Sequence, residues 1–317
     1  MANYAIPGTL DTIALNTSLA NYAKTLTDNA YNDPVVWKML NMAENKKLVD
    51  GGLSLTETLI KSKQSAGGFY LGADVLNNTQ TNSLDTVEYL WQNAYEPIQI
   101  TRDEERQNSG QVHKILDLVA TKTELSRKAI VERLDQALST PVGEANNLID
   151  LETLVNTGTL GNIAGGTSTY WQATVTASGV FAAQGLTDMA TATLAVSSSA
   201  NIDNPTAYIT TKTIWGKFWN TRLPLERLAN GDMTANAGVK NLTFMGVPVV
   251  YGNHISTGLL FGLNMNYVRL QVDSATDMIT TDFISPTNQT VKVAYYLWRG
   301  TMTTGNRRRN FKLTTLS

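Results

Sequence analysis

The sequence predicts an α+β chain, and three features carry that expectation. Apolar–polar alternation recurs in segments on both sides of a long amphipathic helix. Helical and extended patterns mix freely in the second half. Charge is partitioned so unevenly that at least two structural regions are needed. Of the 40 residues from Thr101 to Thr140, 14 are charged, whereas the 59 from Thr153 to Thr211 hold only Asp188 and Asp203 and no Lys or Arg.

The first 50 residues are rich in Asn, Ala and Thr, with a thin helical stripe from Leu10 to Leu26. Asn32-Asp33-Pro34 then reads as a helix start, with Asp33 as cap and Pro34 at the first helical position. Val35, Val36, Met39 and Leu40 supply an apolar face. Such short helices are weak alone and need a surface to lie on.

From Gly51 to Ile100 the pattern becomes extended. Leu53 and Leu55 alternate, Gly67-Gly68 interrupts, and the polar run Asn77 to Ser83 reads as a loop tip. Val87, Tyr89 and Trp91 alternate with Glu88, Leu90 and Gln92, and Ile98 and Ile100 continue the period of two. A long two-stranded excursion with little core of its own is expected, and an isolated hairpin is marginal in water.

After Ser109-Gly110 comes the clearest helix. Val112, Ile115, Leu116, Val119, Ile130, Leu134 and Leu138 fall on one stripe, opposite Lys122, Glu124, Lys128, Glu132 and Asp135. Taken from Gln111 to Ser139 it would run roughly 43 Å at 1.5 Å per residue, long enough to act as a strut. Beyond Pro141, short helices are expected at Leu148–Asn156 and Leu186–Ala195, and a strand followed by a packed helix at Pro205–Arg222. Strands are expected at Leu242–Tyr251, bent at Gly246 and Pro248, then within Leu259–Val272 and over Thr290–Trp298. No fixed-period repeat is present, which disfavours a solenoid or propeller.

Composition narrows the function. The 317 residues are 42% hydrophobic but only 16% charged, against roughly 25% in ordinary soluble domains. Small neutral residues stand in for charge and can lie against another surface at little desolvation cost. Extensive subunit contacts would suit that balance, as would a Thr/Asn-rich β protein. A net charge of -2 and a pI near 5.8 argue against general nucleic-acid binding. The absence of cysteine excludes disulfides, thiolate metal sites and cysteine nucleophiles. His113 and His254 alone make a zinc site improbable. No run approaches 18 apolar residues, and Met1 to Leu10 lacks the pattern of a signal peptide. A soluble chain made in a cytoplasm is expected.

The search for chemistry comes back empty. No phosphate loop, dinucleotide fingerprint, zincin helix or nucleophile elbow occurs. The Asp103-Glu104-Glu105 cluster, flanked by Arg102 and Arg106, reads as a helix start that complements the dipole and pairs locally. His113 reads as a helix-surface residue. Arg307-Arg308-Arg309 is the only basic run, and reads as a solvated strand end or a partner for another subunit's acids. The Gly-rich stretch Gly161 to Trp171 lacks the Lys and the strand-to-helix frame of a phosphate cradle. It reads as a flexible loop delivering Tyr170 and Trp171 into a packed site. No enzyme activity, cofactor or metal is expected.

The order of these parts resembles the tailed-phage major capsid proteins, which share the Hong Kong 97 capsid fold. The resemblance spans essentially the whole chain. It is carried by the Asn-Asp-Pro helix start (Asn32 to Leu40), by Glu96 to Gly110 leading into the long helix, and by the loop Gly161 to Trp171. The run LTFMGVPVVYGNHISTGLLFGLNMN (Leu242 to Asn266) completes it. It implies an N-terminal arm over residues 1–44 and an extended hairpin loop over 45–95 that overlaps an adjacent subunit. It further implies a peripheral domain over 96–142 and 286–317 that contains the spine helix, and an axial domain over 143–285.

Pentamers and hexamers of such a chain would build an icosahedral shell around double-stranded DNA, located in the virion and assembled in the host bacterial cytoplasm. Near-neutral charge suits a wall that must not grip its genome. Because only about 45 residues precede the hairpin, without the long charged scaffolding segment of some family members, a separate scaffolding protein, or none, is expected. A portal protein is a further expected partner, and a decoration protein a possible one. Some members form Lys–Asn cross-links. Lys61 and Lys63 lie in the hairpin, but no partner or assisting carboxylate matches, so non-covalent assembly is expected. Contacts between copies are expected at Lys61, Lys63, Tyr89, Trp91, Arg102, Glu104, Glu105, Arg307, Arg308 and Arg309. Two alternatives stand beside this reading: an encapsulin enclosing a cargo enzyme, and a β-rich carbohydrate-active enzyme suggested by six Trp and twelve Tyr.

Overall fold

The computed structural model describes residues 31–42, 44–108, 118–143, 148–198, 203–229, 242–287 and 289–317. The helix expected at Leu10–Leu26, the first turns of the strut and His113 lie outside them. The chain divides into two compact units.

Of the described residues, the smaller unit holds those within 94–133 and 276–298, with Tyr31 and Asn32. It holds most of β4 (Gln92–Thr101), α2 (Arg102–Asn108) and the first part of α3 (Leu118–Ser139). It also holds β11 (Ile279–Thr280) and the first half of β12 (Val291–Thr304). Strand β11 pairs antiparallel with β12, and β4 pairs with β12 as well. Alternation along β4 works as the sequence predicts, since Ile98 and Ile100 are buried, as is Ile130 of α3. Tyr95 and Tyr295 meet edge to face at 6.1 Å, and Arg133 pairs with Glu96 at 3.3 Å. The expected apolar stripe of the strut is only partly covered: Val119 is exposed, whereas Ile130, Leu134 and Leu138 are buried.

The larger unit comprises residues 33–93, 134–275 and 299–317. It opens with α1 (Val35–Leu40) and β1 (Lys46–Val49), followed by β2 (Ser54–Ile60) and β3 (Leu84–Leu90), an antiparallel pair with no third strand among the described residues. Strand β1 runs parallel to β10 (Val268–Asp273), which pairs antiparallel with the second half of β12. A six-stranded sheet contains β5 (Thr174–Ala177), β6 (Ala207–Thr210), β7 (Thr243–Phe244), β8 (Val247–Tyr251), β9 (Leu260–Leu263) and β13 (Phe311–Thr314) in the order β5-β13-β9-β6-β8-β7. Helices α4 (Leu151–Leu154), α5 (Leu186–Val196) and α6 (Lys212–Ala229) complete this unit.

The main core joins this sheet to α5 and α6 through Phe181, Met189, Tyr208, Phe218, Leu260 and Phe311. The aromatic residues therefore do packing work. Tyr208 lies 6.1 Å from Phe311, and Phe181 lies 6.2 Å from Phe218. Gly262 faces Phe311 across β9–β13. A Cβ there would sit 2.2 Å from the Phe311 ring, so the ring packs over bare backbone.

Two sequence expectations need correction. The cap of α1 is not Asp33, which pairs instead with Lys38. Residue Pro34 stands at the cap position without a side-chain bond, and the Trp37 N–H is met by Asp135 Oδ1 at 2.9 Å. The paired part of the hairpin is also shorter than expected: residues 61–83 form neither strand nor helix. Its paired base is not short of core, because Leu55, Leu59, Val87 and Tyr89 are all buried within the chain.

Candidate interaction surfaces

The hairpin base is held by polar groups as much as by apolar ones. The Tyr89 hydroxyl donates to the Thr304 carbonyl at 2.8 Å. Burial raises the Tyr89 pKa above that of an ordinary phenol, so it stays a neutral donor. Gln271 Nε2 donates to Glu57 Oε1 at 2.8 Å and to Thr303 Oγ1 at 2.9 Å. Thr303 Oγ1 donates to the same Glu57 oxygen at 3.1 Å. The buried Thr301, Thr303 and Thr304 on β12 show where part of the unusual threonine content goes.

Asn162 closes the outer edge of β3. Its amide oxygen accepts from Glu88 N at 3.0 Å, and its amide nitrogen donates to Thr86 O at 3.1 Å, which mimics a neighbouring strand. Gly161 makes that approach achievable. It has φ +63°, and a Cβ there would lie 2.6 Å from Glu88 O, a position and a conformation that disfavour any other residue. Of the two aromatics that end the Gly161–Trp171 loop, Trp171 is packed inside and Tyr170 is only partly covered. Trp171 is buried with Nε1 donating to Leu160 O at 3.2 Å, and the Tyr170 hydroxyl donates to Asp85. That bond holds the Asp85 carboxyl below its usual pKa and raises that of Tyr170.

The three consecutive arginines have three different fates. Arg307 is fully buried. Its Nε donates to Leu154 O at 2.7 Å, Nη1 to Gly158 O at 2.6 Å and Trp171 O at 3.2 Å, and Nη2 to Thr153 O at 2.6 Å. Burial pulls its pKa down to about 10, still far above neutrality. Arg308 is exposed. Arg309 donates to Val196 O at 2.7 Å and lies 3.8 Å from Asp203.

The expected contacts between copies therefore separate. Tyr89 and Arg307 are engaged inside the chain: the buried Tyr89 hydroxyl meets the carbonyl and the N–H of Thr304, and the buried Arg307 guanidinium donates to four backbone carbonyls. Trp91 is half-buried, with the Arg299 guanidinium 5.0 Å above its ring. Arg102 is exposed at the start of α2. Glu104 forms a capping box there: its Oε2 accepts from Thr101 N at 2.9 Å while Thr101 Oγ1 accepts from Glu104 N at 3.3 Å. Lys122 lies 3.4 Å from Glu104. The side chain of Glu105 lies outside what the structure describes.

Lys61, Lys63, Arg308 and Arg309, by contrast, are brought together. They line one groove of about 570 Å³ in the larger unit, walled by Thr58–Lys63 at the end of β2, by Tyr170–Gln172 and by Gly305–Arg309. No carboxylate lines it among the described residues. Sequence reasoning named these residues singly. Their convergence was not readable, because they come from segments more than 240 positions apart.

The second prominent surface is apolar. Between the two hairpin strands Phe69, Tyr70, Leu71, Val75 and Leu76 are all exposed, Phe69 and Val75 almost completely. Five large apolar side chains standing in solvent within eight positions mark a site of association. Among the described residues, no cluster of three or more His, Asp or Glu could hold a metal ion, and no helix is long and apolar enough to cross a membrane.

No protein-family model matches the chain, and no curated protein matches it in sequence. Solved structures do match over nearly its full length. The subunit in the capsid of cyanophage A-1(L) is 13% identical with a TM-score of 0.68, covering 95% of this chain and 99% of that one. A subunit of the native GTA particle capsid is 11% identical with a TM-score of 0.63, covering 99% and 97%. An encapsulin complex from Synechococcus elongatus PCC 7942 gives 12% and 0.61, covering 96% and 95%. The α+β Hong Kong 97 capsid fold that the order of elements resembles is thus the fold of this chain.

Proposed function

We propose that this chain is the major capsid protein of a tailed double-stranded DNA phage, assembling as pentamers and hexamers into an icosahedral shell. One observation carries the reading: end-to-end likeness of fold to shell subunits, with neither chain holding a substantial extra part. Phage and GTA capsids recur among the similar structures, beside an encapsulin, which favours a genome container over a cargo cage. The exposed apolar segment within residues 61–83 supports the reading independently, since a monomer gains nothing by keeping it in water.

In this reading the arm spans 1–44, the extended loop 45–95, the peripheral domain 96–142 with 286–317, and the axial domain 143–285. The loop's apolar tip is covered by an adjacent copy. Exposed Lys63, Arg102 and Arg308, with half-buried Lys61 and with Trp91, Glu104, Glu105 and Arg309, remain the candidate contacts. A separate scaffolding protein and a portal complete assembly in the host cytoplasm, with room for a decoration protein. The chain acts as wall, not as enzyme, and touches packaged DNA only weakly.

Electron microscopy of the purified protein tests this. Closed shells several hundred ångströms across are expected. Small cages filled with a second protein would favour the encapsulin reading, and dispersed monomers under all assembly conditions would overturn both.

A further inference from the structure

The two strands of the hairpin differ in how their outer edges are treated. Lys61 N donates to Ser83 O, continuing the register in which Ile60 opposes Leu84 and Thr58 opposes Thr86. Pairs in an antiparallel ladder alternate between bonded and non-bonded. The peptide groups of Thr56, Thr58 and Ile60 therefore point away from β3, as do those of Thr86 and Glu88 on the other side. Asn162 satisfies Thr86 and Glu88. On the β2 side no other described segment pairs with the edge. A bare strand edge is a template for another chain.

That bare edge forms a wall of the basic groove, since Thr58, Ile60, Lys61 and Lys63 all line it. The side chains of Lys61, Lys63 and Arg308 make no hydrogen bond or ion pair among the described residues. Asp85, whose charge feels Lys61, is already engaged by Tyr170. Lys61 and Lys63 are two apart, the spacing at which extended residues share a face.

We propose that this groove receives an extended acidic segment of a second polypeptide, which adds a strand to the edge of β2 and sets carboxylates at alternate positions against Lys61, Lys63 and Arg308. The edge selects the class of partner. Alternating N–H and C=O groups continue only into another peptide backbone, whereas nucleic acid would answer the charges and leave the backbone unpaired. The partner is a different protein, because this sequence contains no free acidic run of that kind. Its densest, Asp103 to Glu105, lies within α2 with Glu104 already committed to its cap. Nothing in the proposal depends on shell formation.

The test is fluorescence anisotropy with the full-length protein and a labelled peptide alternating Glu with Thr. Saturable binding is expected, weakened roughly tenfold or more when Lys61→Gln, Lys63→Gln and Arg308→Gln are combined. These side chains are at or near the surface, and a thermal melt confirms that the variant folds. On the unaltered protein, the same peptide with alternate amides N-methylated should bind at least about tenfold more weakly. Absence of binding by the Glu-Thr peptide would overturn the proposal. So would equal binding of the methylated peptide, or of single-stranded DNA, which would reduce the groove to a general anion sink. Electron microscopy of the same samples scores shell formation separately, so either reading can fail alone.

Discussion

Asp135 caps a helix far earlier in the chain, its Oδ1 accepting at 2.9 Å from the N–H of Trp37, 98 positions away. The carboxylate is buried, and its other oxygen has no hydrogen-bond partner among the described residues. One acceptor thus ties the last turns of α3 to α1.

Asp135→Ala should destabilise the protein by about 1–2 kcal/mol, the worth of a lost helix cap, read as a shift in denaturant midpoint. Burial raises the Asp135 pKa above 3.8, outweighing the amide bonds and His254 that lower it. The folded state therefore holds this proton more tightly than the unfolded chain. The corresponding stability is complete at pH below 3.8 and is lost as the pH climbs through the raised value. Asp135→Asn keeps an acceptor and removes the titration, so its stability should gain on that of the unaltered protein as pH rises. Parallel curves for the two proteins would contradict this account.

Arg307 supports four carbonyls from two loops and α4. Arg307→Met leaves those carbonyls unpaired in a buried site and should cost more than about 3 kcal/mol. Arg307→Lys should recover little, because an ammonium cannot reproduce the planar fork. Arg308→Met should be nearly silent in the same chemical melts, and a large loss there would mean that the two fates have been misassigned.

Tyr89→Phe removes one hydroxyl from the hairpin base and should cost about 1 kcal/mol. Hydrogen exchange should quicken in β2 and β3 before it quickens in the six-stranded sheet. Gly161→Ala should act on the same strands by driving a Cβ into Glu88 O and displacing Asn162. Unchanged exchange at Glu88 in that variant would be inconsistent with the edge-closing role of Asn162.

Substituting Phe69, Leu71 and Val75 together by Ser should leave the thermal midpoint of the unassembled protein within a few degrees, since these side chains bury little in the single chain. The same variant should form few or no closed shells. Normal shells in electron micrographs would remove the apolar tip from the assembly mechanism.

Much of this organisation was legible because it is local. Alternation in Thr290–Trp298 marked β12, whose full extent runs on to Thr304. The 3.6-residue pattern at Leu186 marked α5 within a residue of its end. Acidic residues after Arg102 marked a helix start that pairs with itself. Partners in these cases lie within a few positions, so spacing alone implies the contact. Where the strut is buried was less legible: Val119 and Ile130 share a stripe, yet only Ile130 is covered, because periodicity names a face without naming what lies on it.

Taken alone, the sequence determined the elements, their order and the shortage of charge, since each depends on short-range spacing or on composition. Tertiary structure decided which of three adjacent arginines is buried, which aspartate caps α1, and which edge of the hairpin stays bare. Those outcomes depend on carbonyls, amides and carboxylates brought together from distant segments, and identical residue types remain equivalent until the packed backbone gives each a different surrounding.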